Sequence, residues 1–262
     1  MKLGMPAMVE LSTIEESAAL CTELGLSFLE LNTNFPTQQL HLLDPEELRF
    51  LAKKYGIFYT IHLNDEMPVA DFNPAVAEGY LNAMTQAILF AEKIGAPVLN
   101  MHLSEGARYT MPHRKLWFYE AYEQEYLEGM TRFRDLCDFV VGRNNIQICI
   151  ENSGGFRPFH LKALELLLQR SCFGLTLDIG HDQCTGGADG QWMLEHATKL
   201  RHMHIHDVVS GNDHRPLGTG EIDLNRWLRV AQQHCYSAVL EVKTVEGLRQ
   251  SAAWIQNNKE ML

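Results

Sequence analysis

Six residues able to bind a metal ion each close a short apolar run. They are His62 in YTIHL, His102 in LNMHL, Glu151 in ICIEN, Asp178 in LTLDIGH, His204 in HMHIHD and Glu241 in VLEVK. Within this set Glu151, Asp178, His204 and Glu241 supply carboxylate oxygens and one imidazole, a combination suited to Mn²⁺, Zn²⁺, Mg²⁺ or Co²⁺. One acid at the end of an apolar run reads equally well as a buried charge satisfied by a neighbour. Several acids converging on one place are different, because like charges repel until a cation offsets them. His62 and His102 either complete a second metal site bridged by Glu151 or serve as hydrogen-bonded pocket histidines. His181 and His214 either hold a third ion or contact substrate oxygens.

His202 and His206 flank His204 at alternate positions, so on a strand all three project to one side. Hydrogen bonding in the pocket is the expectation for His202 and His206. His41, His113, His160, His196 and His234 read as surface or helix histidines. Arg157, with Arg108, Arg114 and Lys115, falls in segments that follow strands. A phosphate grip is one use for such residues, and a solvated loop charge is the expected one. Ser104, Ser153 and Cys184 lack the sequence context of a nucleophile.

Positioning these side chains requires elements that bring distant strand ends together. Strands are expected at 2–5, 27–32, 56–62, 97–102, 146–151, 173–178, 201–206 and 237–242. Helices are expected at 13–24, 45–55, 74–94, 116–141, 158–169, 191–199, 224–233 and 245–257. Asp44-Pro45 and Asn73-Pro74 place a capping residue before a proline at the first helical position. Gly25, Gly56, Gly95 and Gly142 sit where helices should stop. Eight β–α alternations with near-continuous apolar strands imply a parallel sheet covered by helices. The expected fold class is α/β, a single (β/α)8 TIM barrel over residues 1–262, whose active site lies at the C-terminal ends of the strands. Irregular stretches are expected at 64–73, 104–115, 152–157, 180–190 and 208–222, all on that face. No GxGxxG follows the first strand, so a dinucleotide fold is unsupported.

The formal net charge of −11 argues against nucleic acid as a general partner. Six dispersed cysteines without a CxxC suit a reduced, cytoplasmic chain. The N-terminal MKLGMPAMVELS lacks the long apolar stretch of a signal peptide. No apolar run reaches the ~20 residues of a membrane span.

The motifs ICIENSGG, LTLDIGH, LRHMHIHD, HRPLGTGEID and LEVK, in this order, resemble the xylose-isomerase-like TIM-barrel superfamily over essentially the whole chain. That group includes sugar and sugar-phosphate isomerases and epimerases, and endonuclease IV-type enzymes. The epimerase pattern implies one metal on Glu151, Asp178, His204 and Glu241. Glu151 and Glu241 would then be the catalytic acid/base pair, with His181 on substrate oxygens and proton transfer passing through an enediolate. The endonuclease IV pattern implies zinc on His62, His102 and Glu151, and on Glu151, Asp178, His204 and Glu241. Its third zinc takes His181, His214 and an aspartate at the position of Asn212, whose amide oxygen is a poorer ligand. The resemblance thus implies one to three divalent ions, with zinc or manganese ahead of magnesium or cobalt. Its implied partner is a small carbohydrate or sugar phosphate, and homo-oligomers are common among such barrels. The leading expectation is an isomerase or epimerase. The alternatives are a multinuclear zinc phosphodiesterase and a barrel that binds metal and ligand without turnover.

Overall fold

The computed structural model describes residues 1–258 of the chain. Eight parallel strands close into a barrel and are labelled in chain order. They are β1 (Lys2–Pro6), β2 (Phe28–Asn32), β3 (Phe58–His62), β4 (Val98–His102), β5 (Gln147–Glu151), β6 (Phe173–Asp178), β7 (Leu200–Ile205) and β8 (Ser237–Leu240). Each strand pairs with its neighbours in sequence, and β1 closes against β8. The TIM-barrel expectation therefore holds. Among the described residues, no helix is long and apolar enough to cross a membrane.

The helix signals act as their chemistry requires. Asp44 and Asn73 accept backbone N–H groups in the first turns of the helices Pro45–Tyr55 and Pro74–Ile94. Each of these helices stops at a left-handed glycine, Gly56 or Gly95. The expected helix at 191–199 instead comprises a helix at Ala188–Glu195 and a 3₁₀ turn at Ala197–Lys199. The long helix begins at Glu123, after a short turn of helix at Phe118–Ala121. Three stretches expected to be irregular carry structure. Asp178 caps a helix at Ile179–Thr185, and antiparallel hairpins pair Arg108–Thr110 with Lys115–Trp117 and Asp207–Val209 with Asn212–Arg215.

The barrel's interior is polar across its middle. Glu30, Thr60, Asn100, Thr176, His202 and Ser237 are all buried, where such barrels usually pack branched aliphatics. The apolar mass lies outside the strands, where Ile150, Leu175, Leu177 and Met203 join the core built with the helices. A register shift between β6 and β7 aims the site. Leu175 pairs with Leu200, but Thr176 pairs with His202 and Asp178 with His204, leaving Arg201 as the extra residue. Without that bulge the alternation would turn the two histidines away from the side occupied by Asp178.

At the other end of the barrel Phe28 stacks on Phe58 with ring centroids 5.0 Å apart. Gly4 lies under the Phe28 ring, which a Cβ there would strike. Gly4→Ala should cost about 1–3 kcal/mol of stability, measured by urea unfolding. An unchanged midpoint would mean that the ring moves aside freely.

Candidate metal centre

The strand C-termini bring Glu151, Asp178, His204 and Glu241 together, with one ligand atom of each within 4.8 Å of the others. Glu241 stands one residue past the end of β8. His204 Nδ1 lies 3.2 Å from Glu151 Oε1, 3.9 Å from Asp178 Oδ2 and 3.0 Å from Glu241 Oε2. The first three of these residues are almost completely buried. Neither ring nitrogen of His204 has a hydrogen-bond partner, and nor does Glu241 Oε2. Orphaned donor atoms among crowded carboxylates are what a divalent cation would satisfy, and the donor set is of the right chemistry. Burial alone would neutralise the acids, but the His204 imidazole holds Glu151 and Glu241 well below the usual carboxylate range. Burial likewise opposes a charge on His204, yet Glu151, Glu241 and Glu30 raise its pKa well above the ordinary value.

The second carboxylate oxygen of Glu151 faces the other way. Its Oε2 lies 3.4 Å from His62 Nε2 and 3.3 Å from His102 Nε2, and it also accepts from Asn100 Nδ2. His62 Nδ1 donates to the Leu63 carbonyl at 2.7 Å, which leaves its Nε2 lone pair toward the carboxylate unless a proton or cation lies between. Burial opposes the protonated ring, but Glu151 raises the pKa of His62 to about 9. Asp65 Oδ1 stands 4.0 Å from Nδ1 of both histidines.

His206 has a defined role. Its Nδ1 accepts the backbone N–H of His214 at 2.8 Å, so Nε2 carries the proton and donates to Asp178 Oδ2 at 2.9 Å. Both nitrogens are engaged. His206 therefore orients Asp178, although by distance alone it groups with His181 and His214 as a possible ion site. Gly180 permits this packing, since a Cβ there would run into the His206 ring. His181 Nδ1 contacts the Asn152 carbonyl at 3.0 Å, and its Nε2 lies 3.9 Å from Asp213 Oδ2. Asn212 is exposed, and its amide nitrogen donates to the Val209 and Ser210 carbonyls. Of the two neighbours, Asp213 is the one with a carboxylate near His181.

Arg157 is engaged elsewhere. It donates to Glu105 Oε1 at 2.9 and 2.6 Å, and its guanidinium stacks 3.7 Å over the Trp117 ring. It ties down the first hairpin and is absent from the pocket lining. His160, expected at the surface or in a helix, is helical and buried, with its ring between the Arg157 N–H and the Ser104 carbonyl.

Several residues went unnoticed in the sequence. Glu30 reaches His204 from β2, and Asn152 clamps the Asp178 backbone with two hydrogen bonds. Lys243 Nζ donates to Glu241 Oε1 at 2.9 Å. Asp207 accepts from the N–H groups of Gly218, Gly220 and Ile222, holding the GTG turn. The available signals were an acid inside the apolar run FLELN and a lysine two residues beyond Glu241. His62, His102, Glu151 and Glu241 line a pocket of about 430 Å³, with His181, His214, Asp65 and Lys243. Met8, Val9, Phe35 and Val242 give it an apolar flank.

The family model described as "Xylose isomerase-like TIM barrel" matches residues 18–258. An uncharacterized protein of Methanocaldococcus jannaschii is 22% identical over 235 residues, covering 84% of this chain and 80% of its own. A D-tagatose 3-epimerase-like protein superposes with a TM-score of 0.80 at 20% identity, covering 100% of this chain and 98% of that one. The D-psicose 3-epimerase of Clostridium cellulolyticum H10, crystallised with D-tagatose, gives 0.78 at 13% identity, with 100% and 99% covered. The IolI protein with a bound zinc atom gives 0.71 at 16% identity, with 100% and 96% covered.

Burial pushes the His160 imidazole down to about 4, whereas the unfolded chain takes up that proton near pH 6.5. The stability this site contributes above pH 6.5 should therefore be lost as the pH falls toward 4. Histidine NMR should find the ring neutral at pH 5.5, and a charged ring there would contradict its packing.

Proposed function

The chain belongs to the xylose isomerase-like TIM-barrel family, and on that footing we propose that it is a divalent-metal-dependent isomerase or epimerase of a small carbohydrate. The observation that carries this reading is the approach of two glutamates, Glu151 and Glu241, to one imidazole nitrogen at a small pocket. Glu151, Asp178, His204 and Glu241 would hold the cation. When bound, it supplies Lewis-acid polarisation of a carbonyl and its neighbouring hydroxyl, which eases loss of the α-proton. One glutamate takes that proton and the other returns it. They come from β5 and from the end of β8, which are not adjacent in the barrel, so the proton can leave and arrive from different directions. His204 and, after it, Lys243 keep Glu241 ionised.

The pocket volume of about 430 Å³ suits a monosaccharide-sized ligand. Lys243 is the one lysine or arginine among the described lining residues, and Glu241 holds it. That lining favours a neutral sugar over a phosphorylated one. The sugar-epimerase neighbours support the same substrate class.

A zinc phosphodiesterase is the competing reading. One observation favours it: His62 and His102 face Glu151 Oε2 while His204 faces Oε1, the arrangement a bridging carboxylate would need.

Protein purified without chelator should contain about one divalent ion per chain. Turnover of ketoses in deuterated water should incorporate deuterium beside the carbonyl. Glu151→Gln and Glu241→Gln should each lower kcat by about 10²–10⁴-fold. Two or three zinc ions with phosphodiester cleavage and no deuterium uptake would reverse the assignment.

A further inference from the structure

Glu30 is a buried acid that the proposed chemistry does not use. It is 2% exposed and lies outside the pocket lining. Its carboxylate reaches across the barrel from β2 to β7, strands separated by β1 and β8. Oε1 lies 3.0 Å from His204 Nε2, a close charge contact that is not aligned as a hydrogen bond. Oε2 accepts from Thr60 Oγ1 at 2.8 Å and lies 3.1 Å from His202 Nε2. His202 Nδ1 in turn meets Ser237 Oγ at 2.6 Å.

By distance, Glu30, His202 and His204 would themselves group around an ion. Their hydrogen bonds argue otherwise. Thr60 already occupies Glu30 Oε2, Ser237 occupies His202 Nδ1, and His204 turns its other nitrogen toward three carboxylates. Thr60, Glu30, His202 and Ser237 form a hydrogen-bonded chain that meets His204 Nε2 through a 3.0 Å contact with Glu30 Oε1.

An imidazole that presents the Nδ1 lone pair to a cation must carry its proton on Nε2. An acceptor carboxylate at Nε2 stabilises that tautomer, fixes the ring plane and makes Nδ1 a better donor to metal. A buried acid is otherwise costly in a barrel core. Resting on the reading of His204 as a cation ligand, we propose that Glu30 is a positioning residue. It holds the His204 proton on Nε2 and aims Nδ1 at Glu151, Asp178 and Glu241, while Thr60 and His202 fix the carboxylate itself.

The test uses the zinc-loaded protein and zinc affinity, independently of any substrate. Long-range ¹H–¹⁵N NMR of histidine-labelled wild type should show His204 protonated at Nε2 and zinc-bound through Nδ1. Glu30→Gln should weaken zinc binding by about 10–100-fold, measured by competition with a chromogenic chelator, while circular dichroism shows the fold retained. Zinc on His204 Nε2 in wild type, or an unchanged zinc affinity in Glu30→Gln, would overturn the role of Glu30 and leave the metal centre standing. Wild type that takes up no zinc or manganese would overturn both readings together. Should Glu30→Gln fail to fold, the wild-type spectrum alone decides.

Discussion

Three carboxylates crowd one imidazole nitrogen at the mouth of this barrel, and much of the surrounding structure is arranged to tolerate them. Two like charges about 4 Å apart repel by roughly 4 kcal/mol even at an effective dielectric of about 20. The protein answers with donors fitted to particular oxygens. Asn100 and two histidines face Glu151, His206 donates to Asp178, and Lys243 donates to Glu241. Two of the unpartnered atoms, His204 Nδ1 and Glu241 Oε2, converge where a cation would complete the balance.

Holding that charge reshapes the barrel beneath it. Polar residues replace aliphatics across the interior, and several are paired because an unsatisfied polar group in a dry core is costly, although Thr176 Oγ1 and Asn100 Oδ1 have no partner. Glu30 is the centre of that layer, linked to strands β3 and β7 by Thr60, His202 and His204. Packing energy comes instead from the shell between strands and helices. The barrel thus separates its tasks: apolar contacts outside hold the fold, and directional bonds inside hold the site.

The loops extend the same logic. Asp207 gathers the N–H groups of the GTG turn, and its hairpin presents His214, whose backbone N–H fixes the His206 tautomer. Arg157 anchors the other hairpin through Glu105 and Trp117 rather than facing the pocket. Both loops are braced by bonds made away from the pocket, which leaves the pocket's own groups available for a ligand.

The sequence by itself determined the eight strands, most of their helices and the strand ends where acids and histidines gather. These depend on local signals: apolar runs, capping residues before proline, stop glycines, and acids or histidines at run ends. It could not separate Glu30 from an ordinary strand acid, because its partners lie at residues 60, 202 and 204. It missed the hairpins and the helix Ile179–Thr185, which depend on bonds closed after the chain folds back. Nor could it tell that Arg157 would pair with a residue 52 positions away. Only the tertiary structure decided which oxygen faces which nitrogen. Hydrogen bonds and ion pairs are short-ranged and directional, and barrel closure and the Arg201 bulge, not sequence spacing, set those distances.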